Sequence, residues 1–499
     1  MSMNRVMRLC SLVALSTIIL ETKPQQMFDV DTTFRAGLES WYVNSILPLD
    51  DGSLIASGQM RLPEDLVGTM RSIARFNGDG ILDPAFPASW GGGRLTRWQD
   101  KLYVQNFHTV RRISPDGALD QGFIPMNLGP YFSSFQGGDY HVYPDGRILM
   151  SGLHYLSDTV RGFSGAHCLI WFSNEGYLDT TKVHRKCAGS LDVIKELPDG
   201  RFIGTLGNPT NTASWDEELT GSNIIRVHAD GTWDPSFPAH VWTGLALGFL
   251  PLDDGRVYAA GLFLFEGIAD TLHLVRFMPD GSLDPTFNNT IKFRITDMTT
   301  HPWGALPRKI YQLDEGRLII TGAFEEVEGQ VRRCIALVDT NGYLQDDHFI
   351  DAGAGNFTYQ GGTGSVISGI IPAPDGNWYV WGAYHGYNDG TTNDAEQRFI
   401  SRLYGPHVGV AEVSEEPLMR IYPNPAHEKV TFIFDLVQLG PNAILSVRDA
   451  LGREVYQENL PTEQGQVIWD TRNSSPGLYM VSIYAASKQL ETEKLIIQR

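Results

Sequence analysis

The chain has 499 residues, 19% of them charged, with 52 Gly, 27 Pro, 11 Trp, 19 Tyr and 24 Phe and a formal net charge of −19. That charge repels phosphate backbones and anionic lipid, and no basic patch offsets it, so nucleic acid is set aside as a partner. After residue 20 no apolar run approaches the ~18 residues of a membrane-spanning helix, and the wealth of turn formers and flat aromatics points to an all-β fold with no transmembrane segment.

At the N-terminus, Arg5 and Arg8 precede the apolar stretch Leu9 to Leu20, and Glu21-Thr22-Lys23-Pro24 breaks it. This pattern predicts a signal peptide over residues 1–22. Its cleavage site is not marked by a good Ala-x-Ala; Ala14-Leu15-Ser16 would leave a short apolar core, and Cys10 lies too early for a lipoprotein. Further on, Cys168 and Cys187 fall within one repeat, where an oxidising compartment would allow either a bridge or two thiols, while Cys334 has no evident partner.

Residues 28–408 are repetitive. Asp79-Gly80-Ile81-Leu82-Asp83-Pro84-Ala85-Phe86 returns at Asp230 to Phe237 and at Asp280 to Phe287, with looser copies at Asp116 to Phe123, Gly176 to Asp179 and Gly342 to Phe349. A second signal precedes it in each unit, an Asp-Gly turn followed by an apolar run, at Asp51-Gly52, Asp145-Gly146, Asp199-Gly200, Asp254-Gly255, Glu315-Gly316 and Asp375-Gly376, with Asp100-Lys101 as a degenerate copy. Such turns suit three-residue hairpin loops whose Gly takes the left-handed position. Counting them divides the region into seven units of about 54 residues, the size of a four-stranded propeller blade. The seventh unit lacks its last strand, and Asp31-Thr32-Thr33-Phe34 supplies a match at the start of the chain, so the ring is expected to close by pairing first and last units. Eight residues before the repeated Asp stands an Arg in several units, predicting the pairs Arg75 and Asp83, Arg112 and Asp120, Arg226 and Asp234, Arg276 and Asp284, and, for the closure, Arg402 and Asp31.

Beyond an acidic linker at 409–418 the texture changes. Strand signals at Lys429 to Leu436, Ala443 to Asp449, Arg453 to Tyr456, Val467 to Asp470, Leu478 to Tyr484 and Glu493 to Ile497 predict a small immunoglobulin-like β-sandwich over 419–499. The expected fold class is therefore all-β, a seven-bladed β-propeller followed by this sandwich.

Two resemblances follow from these residues. The sequence Asp-Gly, apolar strand, Gly, variable loop, Arg-Phe, Pro-Asp-Gly-x-Leu-Asp-Pro-x-Phe resembles the delta-60 repeat of secreted bacterial β-propeller proteins and covers about three quarters of the chain; it implies a propeller and no single activity. The tail, with Tyr422-Pro423-Asn424-Pro425, Asp449 and Gly452, Gly477 and Tyr479, and Lys494-Leu495-Ile496-Ile497, resembles the type A C-terminal sorting domain of the type IX secretion system of Bacteroidota. This resemblance implies a sorting signal carried by Pro423, Asn424, Pro425, Asp449, Gly452, Gly477, Tyr479 and Lys494. It also implies type IX machinery as a partner and a route through the periplasm to the outer-membrane surface or the medium.

For chemistry, the repeated Asp83, Asp234 and Asp284 recur too often to form one catalytic constellation, and no catalytic residue is assigned. Turns at one end of the units are uniform, whereas the loops at the other end vary, which makes that end the expected binding face. Its candidates are Trp90, Tyr155, Trp215, Trp242, Trp303, His385 and Tyr387, aromatics suited to stacking on a glycan or an extracellular protein. No cofactor is expected; Asn388, Asp389, Asn393, Asp394 and Glu396 offer Ca²⁺-type oxygen ligands without EF-hand spacing. The expectation is a monomeric binding protein, with a secreted polysaccharide lyase or glycoside hydrolase as the alternative, for which His154 with Arg161 is a weak candidate pair.

Overall fold

The computed structural model describes residues 26–498 except 67, 88–89, 107–108, 125–131, 208–212, 297–303, 360–361, 407–418, 435–442, 461–464 and 486–487. The expected signal peptide and the linker at 409–418 lie outside the described residues. Contacts divide the chain into two compact units at His407 and Val408. Every regular element described is a strand.

The first unit is a β-propeller whose described residues include seven main antiparallel sheets, numbered in chain order, beside three smaller ones, and the seventh also pairs Gly353–Ala354. Sheet 1 holds Ser40–Pro48, Leu54–Arg61 and Arg71–Phe76; sheet 2 holds Leu95–Trp98, Lys101–Asn106 and Thr109–Ile113; sheet 3 holds Phe132–Val142, Ile148–Asp158 and Phe163–Phe172. Sheet 4 holds Leu191–Glu196, Phe202–Leu206 and Ile224–Val227; sheet 5 holds Val241–Pro251, Val257–Phe265 and Leu272–Phe277. Sheets 6 and 7 are Leu306–Gln312, Arg317–Ala323 and Ile335–Asp339, and Val366–Pro372, Trp378–Asn388 and Asn393–Leu403.

Of the four short strands expected in each unit, the fourth is reduced to a single bridge. The Leu-Asp-Pro segment touches the third strand through single bridges, such as Phe76 with Leu82, Val227 with Trp233 and Phe277 with Leu283. The repeated Asp stops the ladder, because its carboxylate turns back on its own chain: Asp83, Asp234 and Asp284 accept the N–H of Ala85, Ser236 and Thr286 at 3.0, 3.0 and 2.8 Å. Where Pro follows the Asp, there is no N–H to extend pairing.

Ring closure uses the chain start in the same register. Val30 bridges Leu403, while Phe28 N–H donates to Tyr404 O and Asp31 N–H to Arg402 O, both at 2.8 Å. Phe34, Leu38, Val43 and Ile46 of the start share one core with Tyr379, Trp381, Phe399 and Ile400 of sheet 7, and Trp381 Nε1 donates to Asn44 O at 3.0 Å. Arg402 Nε lies 3.5 Å from Asp31 Oδ2.

The repeated Arg has a second task. Arg112, Arg226 and Arg276 place Nε 2.6–2.7 Å from Asp120, Asp234 and Asp284. Their Nη1 groups reach the outer turn of the following sheet, donating to Asn174 O, Pro279 O and Thr340 O at 2.6–2.7 Å. Arg402 does the same to Gly78 O at 2.7 Å, across the closure. Arg75 departs from the pattern: it pairs with Asp51 and donates to Ser53 Oγ at 3.1 Å, so the expected pair with Asp83 does not form.

The first strand of each sheet is the inner one, and it meets the first strand of the neighbouring sheet in most of the ring. Register slips in it between Val43 and Ser45, Gly137 and Tyr140, Leu191 and Val193, Ala246 and Gly248, Pro307 and Lys309, and Ile367 and Gly369. At these β-bulges a residue of the inner strand leaves the ladder. They require the repeated strand Gly opposite: a Cβ at Gly58, Gly261, Gly322 or Gly382 would lie 2.0–2.3 Å from an inner-strand carbonyl oxygen.

The second unit is a sandwich of two antiparallel sheets, one of Met419–Tyr422, Lys429–Phe434 and Gln466–Asp470, the other of Glu454–Asn459, Ile444–Asp449, Gly477–Ala485 and Lys488–Ile497. Alternation along the strands puts Val430, Phe432, Leu445, Val447, Val481, Ile483 and Leu495 in a shared core.

Candidate functional site

Antiparallel topology sends all the Asp-Gly turns to one end of the propeller. Connections between second and third strands and crossovers between sheets gather at the other end. On that variable end, between sheets 6 and 7, lies a cavity of about 430 Å³ lined by Thr296, Glu325, Glu326, Arg333, Asn356 and Ser365, with Val331, Ala354 and Gly355 as its apolar and backbone parts.

Each wall is fixed by local pairing. Glu325 follows Phe324, which is buried in the sheet 6 core, and its carboxylate accepts Thr296 N–H at 2.7 Å and the Thr296 hydroxyl. A tight hairpin pairs Glu326 with Val331 and returns the chain to Arg333. Arg333 lies alongside Gly353, with its N–H donating to Ala352 O and its carbonyl accepting Ala354 N–H, both at 3.0 Å, so its side chain is presented to solvent. Ser365 donates to Asn356 Oδ1 at 2.9 Å and lies 3.2 Å from the buried Cys334 sulfur. Burial pushes the Cys334 thiol up, which keeps it neutral. The result is a water-accessible recess with carboxylates, a guanidinium, an amide and hydroxyls on one wall or another, the kind of lining that exchanges hydrogen bonds with a hydroxyl-rich ligand.

The sequence candidates are placed unevenly around this recess. His385 borders it, since its N–H donates to Gly355 O at 3.2 Å, and its ring packs 5.1 Å from both Phe357 and Phe399. Burial and the Arg398 charge lower its pKa, favouring the neutral imidazole. Tyr155 and Trp242 are 42% and 53% exposed, with Tyr155 edge-on to Phe135 at 6.2 Å, but they stand on sheets 3 and 5. Trp303 lies outside the described residues.

Three candidates are corrected as ligand-stacking residues. Trp90 packs in the core between sheets 1 and 2, beneath Arg111. Trp215 is 1% exposed and donates from Nε1 to Gly231 O at 2.9 Å. Tyr387 is 1% exposed beside Tyr384. Aromatics on variable loops pack those loops down as readily as they face solvent.

The Ca²⁺-type oxygens are already engaged: Asp389 accepts from Val30, Thr391 and Thr392, Asp394 pairs with Arg35 at 2.7 Å, and Asn388 accepts Gly390 N–H. Among the described residues no group of three or more His, Cys, Asp or Glu side chains is placed to hold a metal. His154 is fully buried, with ring nitrogens 2.9 Å from Ser134 Oγ and Ser151 O, and Arg161 pairs with Asp158, so those two do not form an acid–base pair. Cys168, Cys187 and Cys334 are free thiols. Sequence reasoning missed Glu325, Glu326, Arg333, Asn356 and Ser365; the acidic hairpin after Phe324 was the available signal.

In the sandwich, the residues expected to carry the sorting signal tie its first and last strands and its turns. Asn424, between Pro423 and Pro425, donates to Lys494 O at 2.6 Å and accepts Ile496 N–H at 2.9 Å, tying the first strand region to the last. Asp449 accepts Leu451 and Arg453 N–H at 2.9 and 3.0 Å around Gly452, whose φ is 79°. Tyr479, two residues after Gly477, donates its hydroxyl to Ser475 O at 2.6 Å.

Residues 420–498 match the model of the secretion system C-terminal sorting domain, and residues 252–287 match the DUF5122 β-propeller domain of unknown function. No curated protein matches. Solved structures with a similar chain course include PorZ, a surface component of the type IX secretion system of Porphyromonas gingivalis (11% identity, TM-score 0.33, 94% of this chain and 60% of that one). Another is the extracellular domain of the putative one-component system BT4673 of B. thetaiotaomicron (10%, TM-score 0.41, 95% and 58%). A third is a protein of unknown function from Bacteroides caccae (13%, TM-score 0.32, 58% and 91%). The chain thus spans about three fifths of the length of the first two. The sorting domain marks the protein for type IX export to the cell surface or the medium. No helix among the described residues is long and apolar enough to cross a membrane.

Proposed function

We propose that this β-propeller, carried out of the cell by its C-terminal sorting domain, is a binding protein that takes a glycan in the recess between sheets 6 and 7. The observation that carries the reading is the recess itself, lined by Glu325, Glu326 and Arg333 from sheet 6 and by Asn356 and Ser365 from sheet 7. Mixed donors and acceptors on a rigid scaffold suit the alternating hydroxyls of a sugar. A ring closed on itself presents few free sheet edges, which supports a monomer.

Screening the purified protein against a glycan array, with reducing-end release followed in parallel, tests this. Arg333→Ala and Asn356→Ala, both at exposed positions, are expected to weaken binding about tenfold or more, with melting temperature nearly unchanged. Glycan binding that survives both substitutions would move the site elsewhere on the loop end; release of reducing ends would replace binding with hydrolysis or elimination.

A further inference from the structure

The joint between sheets 3 and 4 lacks the repeat's own fastening. Sheets 2, 4 and 5 send Arg112, Arg226 and Arg276 to a carbonyl of the next outer turn, but sheet 3 carries Trp171 at that position. Arg185, from the segment after Asp179, takes over: its Nε and Nη2 donate to Asp230 O in the outer turn of sheet 4, at 3.2 and 2.8 Å. A Cβ at Gly231 in that turn would lie 2.6 Å from the Trp171 ring and 2.9 Å from the Arg185 side chain. These two side chains therefore fill the seat that a phrase-ending Phe takes elsewhere, where this unit has Lys182.

The segment carrying Arg185 is held on both sides. On one, Cys168 N–H and Leu169 N–H both donate to Arg185 O, at 2.8 and 3.4 Å, and Arg185 N–H returns to Leu169 O at 2.9 Å. On the other, Cys187 bridges Trp215, and Lys186 N–H donates to Asp216 Oδ1 at 2.9 Å. These pairings bring two thiols together. The doubled bond to Arg185 O is a β-bulge, which sets Cys168 and Leu169 opposite one residue. The Cys168 sulfur lies 3.6 Å from Arg185 O, and Cys187, two residues further on, is within about 7 Å of Arg185 along the chain. Both cysteines pack into one core with Trp171 and Trp215, and their sulfurs meet closely enough to share a hydrogen bond. Cys168 is fully buried and Cys187 half-buried. Burial, with the Cys187 thiol beside it, pushes the Cys168 thiol up and keeps it protonated.

We propose that Cys168 and Cys187 are joined as a disulfide in the exported protein, closing a loop around Asp179 and Arg185 and stapling sheet 3 to sheet 4 where the repeated Arg is missing. The structure shows the pair as thiols, and the sorting domain takes the chain to compartments where disulfides form and persist. The Cys187 sulfur, the more accessible, attacks one sulfur of a disulfide donor, a glutathione-type or protein disulfide, expelling one thiolate and giving a mixed disulfide. The Cys168 sulfur then attacks that of Cys187 and expels the second thiolate. Two protons pass from the cysteines to the two thiolates, and the donor takes the two electrons.

The test is peptide mapping of the protein recovered from the medium or surface of its host, denatured in iodoacetamide without reductant and digested with trypsin. Peptides 162–182 and 187–195 are expected as one species, two hydrogens lighter than their sum, that a reductant separates, while Cys334 is alkylated. Protein reduced and then held in oxidised glutathione should form the same linkage again. Oxidised wild type is expected to melt about 2 °C or more above the reduced protein, and Cys187→Ser to melt like reduced wild type with or without reductant. Separate alkylated peptides from the exported protein, glutathione left on Cys187 with no linkage, or a linked protein whose melting temperature reductant leaves unchanged would each overturn the proposal.

Discussion

At Asp284 one side chain meets several demands of the fold. Oδ1 accepts Thr286 N–H and its hydroxyl at 2.8 and 2.7 Å, while Oδ2 lies 2.7 Å from Arg276 Nε and 3.2 Å from Arg256 Nη1. Burial by itself would raise this carboxyl, but the bonds from Thr286, Arg256 and Arg276 outweigh it and hold it well below the usual carboxylate range. Since the folded-state value lies below the unfolded one, its contribution to stability is present above about pH 4 and is lost as pH falls toward the folded value. Asp284→Ala leaves Arg276 buried without its carboxylate and is expected to destabilise by about 3–5 kcal/mol near neutral pH. Among the described residues the Asp83 carboxylate has only its local bond from Ala85 N–H, so Asp83→Ala should lose about 1 kcal/mol. Denaturant midpoints measure both, and the gap between wild type and Asp284→Ala should narrow below pH 4; a gap independent of pH would deny the ionised carboxylate its role. Asp179 shows why the repeated Asp persists opposite Trp171 in place of Arg: it still accepts Thr181 N–H at 3.0 Å.

Between elements, the repeat works by handing each unit to the next. The Phe that ends the Leu-Asp-Pro phrase seats against the Gly of the following sheet's outer turn: a Cβ at Gly342 would fall 2.8 Å from the Phe287 ring, and one at Gly117 would meet Phe86 and Pro87 at 2.8 Å. Arg Nη1 then fastens the same turn through its carbonyl. Closure from the chain start follows the second rule, with Arg402 on Gly78 O, and sets the backbone of Arg35, next to the buried Phe34, against Gly80. A chain beginning after Leu38 should therefore melt lower and self-associate, because the edge at Ser401 to Tyr404 loses its Phe28–Asp31 partner. Calorimetry and light scattering check this, and a truncated chain that matches the full one in both would show the edge to be inessential.

For the whole molecule, address and scaffold are separate bodies, each with its own core. A chain ending at residue 418 is expected to fold as a propeller and remain in the periplasm of a type IX-competent host, while the full chain reaches the surface or medium. Fractionation measures the partition, and equal export of both chains would remove the tail from the route.

The sequence by itself determined what local chemistry repeats. Asp-Gly turns, alternating strands and the Asp-Pro phrase act over a few residues, so the all-β class, the propeller, the sorting tail and the closing role of Asp31 were legible. Burial was not, because it depends on which loop folds over which. Trp90, Trp215 and Tyr387 look like Trp242 in the chain yet lie in cores, and Arg75 finds Asp51 instead of Asp83. The recess of Glu325, Arg333 and Asn356 joins segments of two sheets. Such a gathering has no periodicity to read. The recess exists because neighbouring sheets bring these segments together, with Arg333 bridged to Gly353.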